Sequence, residues 1–475
     1  MADEDICYIT ATEALDRFTT GLLSPVELLE ALIARSQKVE PSINAFTDTY
    51  FEEAHEEAQK SEERYARGGQ MRPLDGLPLA VKDESWIKGK RTTNGAVFNK
   101  DFVATDTSII NRRLLRAGAI VHARTATPEF SCSGVCWSNL HGVTRNPWNP
   151  DFTPGGSSGG SSASLAAGTT TIATGSDIAG SVRIPASCAG VVGFKSTYGR
   201  IPEDWPFNLD TYCHPGPMAR SVRDAALMFN VLNGPHDKDI ASLRPKIRVP
   251  VMLSEGDIKG LKVAYSIDLG FYEVDPEVRR NTENVLKVLQ DLGASVEEVD
   301  LGWTPEVTTT AMNHLSHIFG AFIERYYDRY GYSMTTYARQ FAEMSRNHPA
   351  SAYLASLEGA GRMYDSFGPM MAKHDLFVCP TLAVPAVPAT WDQSKDKLEV
   401  NGKQLDPWFW LMTYPFNVLS RCPVLAVPSG HASNGVPTGV QFVGRTYDDA
   451  GVIRAGLAYE AAFPLYDTAE RRPKL

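Results

Sequence analysis

Apolar positions along the chain follow two rhythms. In the first seventy residues they recur every three or four positions, as in Leu28, Leu29, Leu32 and Ile33, which predicts an amphipathic helix. Ser24, Pro25 and Glu27 supply its N-cap, its first-turn proline and the third-position glutamate of a capping box. Alternating charges from Phe51 to Arg67 predict a second, solvent-facing helix that ends at Gly68 and Gly69. From Leu74 the rhythm shortens. Apolar runs Leu77 to Val81 and Ala119 to Val121 flank a helical stretch, Ser108 to Ala117, closed by Gly118. Strand, helix and strand in succession predict an α/β fold.

Further on, Thr144 to Gly160 reads as a long ordered loop rich in Asn, Pro, Gly and Ser, followed by a small-residue helix from Ala163 to Gly168. The pattern then predicts a helix over Asp275 to Leu292 and a strand over Ser295 to Val299. Met312 to Tyr364 reads as largely helical, and its many Met, Tyr and Phe residues are assigned mainly to packing. Strands are expected at Leu376 to Pro380, Val424 to Pro428 and Val436 to Val443, with a closing helix from Asp449 to Ala462. These late strands imply that the last quarter returns to the first sheet. The expectation is one domain over 1–475: N-terminal helices 1–70, a core 71–240, a helical insertion 241–375 and a return to the sheet 376–475.

Charge narrows the function classes. A net charge of −10 with no Lys/Arg-rich run argues against a nucleic-acid surface. The acidic start lacks an apolar h-region, and no run of eighteen apolar residues occurs, so neither a secretory signal nor a spanning helix is expected. Seven scattered cysteines without a Cys-x-x-Cys pair fit reduced thiols in a cytoplasmic protein.

Three segments carry candidate chemistry. Lys82 follows the apolar run Leu77 to Val81; a lysine buried without a counter-charge can give up its proton and act as a base. The competing reading is a surface lysine paired with Asp83. Gly155 to Gly159 spells Gly-x-Ser-x-Gly, yet the Asn149 to Pro154 segment before it is not the apolar strand a nucleophile elbow requires. Asp177 to Arg183 places Ser181 after an Ile-Ala-Gly turn whose consecutive N–H groups suit an oxyanion hole. Other signals fail. Ser85 to Lys88 spells Ser-x-x-Lys without its partner motifs, and His314 with His317 has no metal-site context.

Taken together, Val81-Lys82-Asp83, Gly155 to Gly160 and Asp177 to Ser181 resemble the amidase signature family, with Ser157 and Ser181 separated by 24 positions. Asn146 to Asn149, Gly193 to Arg200, Gly216 to Arg220 and Gly435 to Gly444 agree with it as well. The resemblance implies a mixed, twisted sheet covered on both faces by helices. It implies a Ser-cisSer-Lys triad of Ser181 as nucleophile, Ser157 as proton relay after a cis Gly156–Ser157 bond, and Lys82 as base. Backbone N–H groups of Ile178, Ala179, Gly180 and Ser181 would form the oxyanion hole, and no metal or organic cofactor is implied.

Ala179 replaces a family glycine, Ser196 a usual proline, and Asn417 to Pro423 is longer than the usual form. An apolar cleft is expected from Ser131, Cys132, Ser133, Gly134, Trp137, Trp410 and Phe416, with Trp408 and Met412 nearby. It suits small-molecule aryl or alkyl amides, anilides, carbamates (urethanes) and esters. A glutaminase subunit of a tRNA-dependent amidotransferase is the alternative, disfavoured because Trp410 stands where that subunit carries an acid. A catalytically silent binding protein on the same scaffold is the other. The partner expected is the substrate alone, for a monomer or homodimer with no nucleic acid and no membrane.

Overall fold

Ser24 Oγ accepts from the Glu27 N–H, and the Glu27 carboxylate accepts from the Ser24 N–H, opening helix Pro25–Ile43 with the expected capping box. The computed structural model describes residues 3–253, 258–464 and 466–475. Helices Phe51–Ala66, Ile109–Arg116, Pro276–Asp291 and Asp449–Ala462 fall where the apolar periodicity puts them.

The strands, in chain order, are β1 Phe46–Thr49, β2 Pro78–Lys82, β3 Ile120–Thr125, β4 Trp137–Ser138, β5 Gly142–Val143, β6 Ile172–Asp177, β7 Val192–Lys195 and β8 His214–Ala219. Then come β9 Lys262–Tyr265, β10 Ser295–Glu298, β11 Leu376–Pro380, β12 Leu398–Val400, β13 Lys403–Leu405, β14 Val424–His431 and β15 Pro437–Gly444. Eleven of them make one mixed sheet in the order β1-β3-β2-β6-β8-β7-β14-β15-β11-β9-β10; β4 with β5 and β12 with β13 form separate ribbons. The last quarter does return to the sheet: β14 and β15 pair with each other, and β14 pairs with β7.

Side chains alternate across a strand, and here the alternation feeds two cores. Leu376 and Val378 of β11 join the core that includes helix Asp449–Ala462, while Phe377 and Cys379 join the core under the helical middle. Both faces are therefore buried, and helices cover both.

Two details depart from the sequence reading. The small-residue helix starts earlier, over Gly159–Ala167. A Cβ on Gly160 would come within 2.3 Å of the Ala126 nitrogen, so the glycine serves close backbone approach. The 241–375 segment supplies, besides its helices and the expected strand β10, a second sheet strand, β9, that the sequence reading missed. With only Val263 and Ala264 buried, β9 is too short to register as an apolar run.

Candidate active site

Parallel pairing of β2 with β6, in register at Leu79 with Ile172 and Ala80 with Ala173, brings Lys82 and Asp177 to the same end of the sheet. Lys82 is 1% exposed. Its backbone N–H donates to Thr174 Oγ1 at 2.9 Å, and Nζ lies 2.9 Å from Oγ of Ser176, two residues on and hence on the same face of β6. Nζ also lies 2.7 Å from Ser157 Oγ and 3.2 Å from Glu84 Oε2, so the lysine is buried with a carboxylate beside it rather than without a counter-charge as the sequence reading supposed. Asp83 is turned away from the lysine. It accepts from the Thr93 N–H at 3.0 Å and faces Arg124 at 3.3 Å. Burial pushes its carboxyl up, but His141, Arg124 and Thr93 outweigh that and hold it below its ordinary value.

The glycine loop is wedged between two other segments. A Cβ on Gly155, where φ is +82°, would meet Pro185 Cα at 2.5 Å, and one on Gly156 would meet the Ser133 carbonyl at 2.5 Å. The Gly156–Ser157 peptide is cis and Ser157 is buried. The Ser158 N–H donates to the Ser181 carbonyl at 3.2 Å, tying the two serine loops together.

A buried ion pair shapes the Ser181 turn. Arg183 Nε and Nη2 each donate to Asp177 at 2.9 Å, and Asn417 Nδ2 donates to the same carboxylate at 2.8 Å. Burial opposes ionisation of Asp177, yet Arg183 and Asn417 hold its carboxyl far below the usual range. The Gly180 N–H also goes to Asp177, at 2.9 Å. Among the described residues, no protein acceptor engages the N–H groups of Ile178, Ala179 or Ser181. Thr413 donates to the Ala179 carbonyl at 2.6 Å and crowds Gly180, where a Cβ would lie 2.1 Å from its hydroxyl.

Ser181 opens on a narrow cleft that is partly open to solvent. Ser131, Cys132, Ser133 and Gly134 line it, as does Ala179. The rest of the apolar wall comes from Ile178, Ile184, Leu315, Phe319, Phe341, Trp408, Leu411 and Tyr414. Trp137, Trp410 and Phe416 lie elsewhere. Trp137 donates its indole N–H to the Trp391 carbonyl and packs edge-on to Tyr337. Trp410 is buried against Trp391, and Phe416 packs among Trp303, Phe367 and Phe377. Met412 is buried too. Phe319 and Phe341 belong to the helical middle, where helix periodicity alone does not separate packing from cleft walls. Ser176 and Glu84 also escaped the sequence reading, although each sits within two positions of a singled-out residue.

A family model described as Amidase matches residues 27–453. An acylamidase of Rhodococcus erythropolis is 34% identical over 483 residues, covering 98% of each chain. One subunit of the glutamyl-tRNA(Gln) amidotransferase of Lachnospira eligens is 31% identical over 482 residues, covering 95% of this chain and 98% of its own. The solved structure of a bacterial aryl acylamidase of the amidase signature enzymes superposes with a TM-score of 0.89 at 29% identity, covering 96% of each chain. The chain belongs to the amidase signature family. It is an amidohydrolase, acting on amide C–N bonds.

No helix among the described residues is long and apolar enough to cross a membrane.

Proposed function

We propose that this amidohydrolase cleaves aryl and alkyl amides or anilides, and carbamates by the same attack, through an acyl-enzyme on Ser181. The observation that carries the reading is the 2.7 Å contact of Lys82 Nζ with Ser157 Oγ beside the Ser181 turn. Lys82, as the free amine, takes the Ser157 proton while Ser157 takes that of Ser181, and Ser181 Oγ attacks the carbonyl carbon. The unengaged N–H groups of Ile178, Ala179 and Ser181 receive the developing oxyanion; Gly180, whose N–H is held by Asp177, shapes the turn instead. On collapse the C–N bond breaks and the proton returns through Ser157 to the leaving amine. Water then attacks the acyl-enzyme by the same relay and releases the acid. From a carbamate, cleavage of the C–N bond leaves a carbonate on Ser181, and its hydrolysis releases a carbonic half-ester that loses carbon dioxide.

The wall of the cleft supports an apolar substrate. None of the side chains that line it is charged, so it offers no carboxylate to the ammonium group of glutamine. That favours anilides over the amidotransferase reaction named for the Lachnospira eligens relative. The free thiols support a cytoplasmic setting. The test compares nitroaniline release from an acyl-nitroanilide with ammonia release from glutamine. Faster turnover of glutamine would overturn the substrate assignment.

A further inference from the structure

Of the groups around Lys82, Glu84 has no task in the reaction described above. Its Oε2 lies 3.2 Å from Lys82 Nζ and accepts from Ser131 Oγ at 2.6 Å, so one oxygen joins the lysine to the loop that lines the cleft. We propose that Glu84 is a positioning residue that aims the Lys82 lone pair at Ser157 and then holds the ammonium formed there. The proposal rests on the assignment of Lys82 as the base.

Among the described residues, Nζ has three polar side-chain neighbours: Ser157 Oγ at 2.7 Å, Ser176 Oγ at 2.9 Å and Glu84 Oε2 at 3.2 Å. A free amine has two N–H bonds and one lone pair. The Ser176 hydroxyl can donate or accept and leaves the choice open, whereas a carboxylate only accepts. Glu84 therefore takes one N–H; because the relay makes Ser157 the donor to Nζ, Ser176 takes the other, and the lone pair faces Ser157. When the proton arrives, the ammonium has three N–H bonds for the same three oxygens, and no side chain has to move. Ser131 keeps the carboxylate in place. Its hydroxyl also contacts Asn94 Oδ1 at 2.9 Å and Thr127 Oγ1 at 2.9 Å, and its backbone is fixed at φ +58°.

The experiment measures kcat and KM of Glu84→Ala on an acyl-nitroanilide, with and without added sodium formate, against sodium chloride at equal ionic strength. The expected result is a fall in kcat of at least about tenfold, smaller than the roughly 10²–10⁴ of losing the proton-transfer group itself, with KM within about twofold and partial recovery in formate alone. Wild-type kcat, a loss carried by KM, or a fall that formate leaves untouched would overturn the proposal. Should Glu84→Ala fail to fold, Glu84→Gln keeps the shape without the charge. A tenfold lower kcat at unchanged KM then supports the role, and wild-type kcat overturns it. Ser181→Ala and Lys82→Ala run alongside. If either retains wild-type activity, the triad itself is wrong; if both are inactive while the Glu84 variants are normal, only the role of Glu84 falls.

Discussion

Lys82 Nζ lies 2.7 Å from Ser157 Oγ, although 75 positions separate the two residues in the chain. The lysine reaches across from the end of β2, and the serine is held by a glycine loop too tightly wedged to accept a side chain at Gly155 or Gly156. Because the contact needs both, it is sensitive to either.

In the proposed mechanism, Ser157→Ala removes the relay but leaves Ser181 and its turn in place. We expect kcat to fall by roughly 10²–10⁴, the usual range for losing a positioned proton-transfer group, with little change in melting temperature. Steady-state kinetics and a thermal melt check both. Ser181→Ala should abolish the covalent adduct seen by intact-protein mass spectrometry during turnover of a slow ester.

Asp177→Asn leaves the buried Arg183 guanidinium without its counter-charge. Breaking one side of such a pair costs about 3–5 kcal/mol, so the variant should unfold at markedly lower denaturant concentration. Activity should fall with it, since the carboxylate also holds the Gly180 N–H. An unchanged denaturation midpoint would refute the structural role.

Trimming the cleft wall should change selectivity. Phe341→Ala and Trp408→Ala each remove a large apolar surface from the cleft. Burial of such a side chain is worth about 1.5–3 kcal/mol, and a bulky substrate should lose a good part of it. The expected result is a KM increase of about tenfold for a long-chain or aryl acyl-anilide and a small change for an acetanilide. The same factor on both substrates would place these residues outside the substrate's reach.

Stability should depend on His122. Burial alone pushes its ring down to about 3, and its Nε2 lies 3.0 Å from Thr170 Oγ1. In the unfolded chain a histidine titrates near about 6.5. The folded value is the lower one, so the contribution of the neutral ring is complete above about pH 6.5 and is lost as pH falls toward 3. Between pH 6.5 and 4.5 the loss is on the order of 2–3 kcal/mol. His122→Gln should therefore lose less melting temperature than wild type on going from pH 7.5 to 4.5. Equal losses would exclude His122 as a source of acid lability.

The sequence by itself determined the family, the α/β alternation and most element positions. Caps, glycine stops and apolar periodicity are local, and helices such as Pro25–Ile43 and Asp449–Ala462 follow from them directly. It also marked Lys82, Ser157 and Ser181 by spacing. Only the tertiary structure decided what surrounds them. Leu315, Phe319 and Phe341 reach the cleft from a distant helical segment whose periodicity looks like any packed helix. Trp408 lines the cleft while Trp410, two positions on, is buried against Trp391. Their composition is the same, and the direction of each side chain is set by how that loop docks. Glu84 is likewise one acidic residue among many until the fold brings its carboxylate to Lys82. Spacing along a chain fixes which backbone groups lie close by; which side chains share a space depends on contacts between distant segments, and only the folded chain makes those.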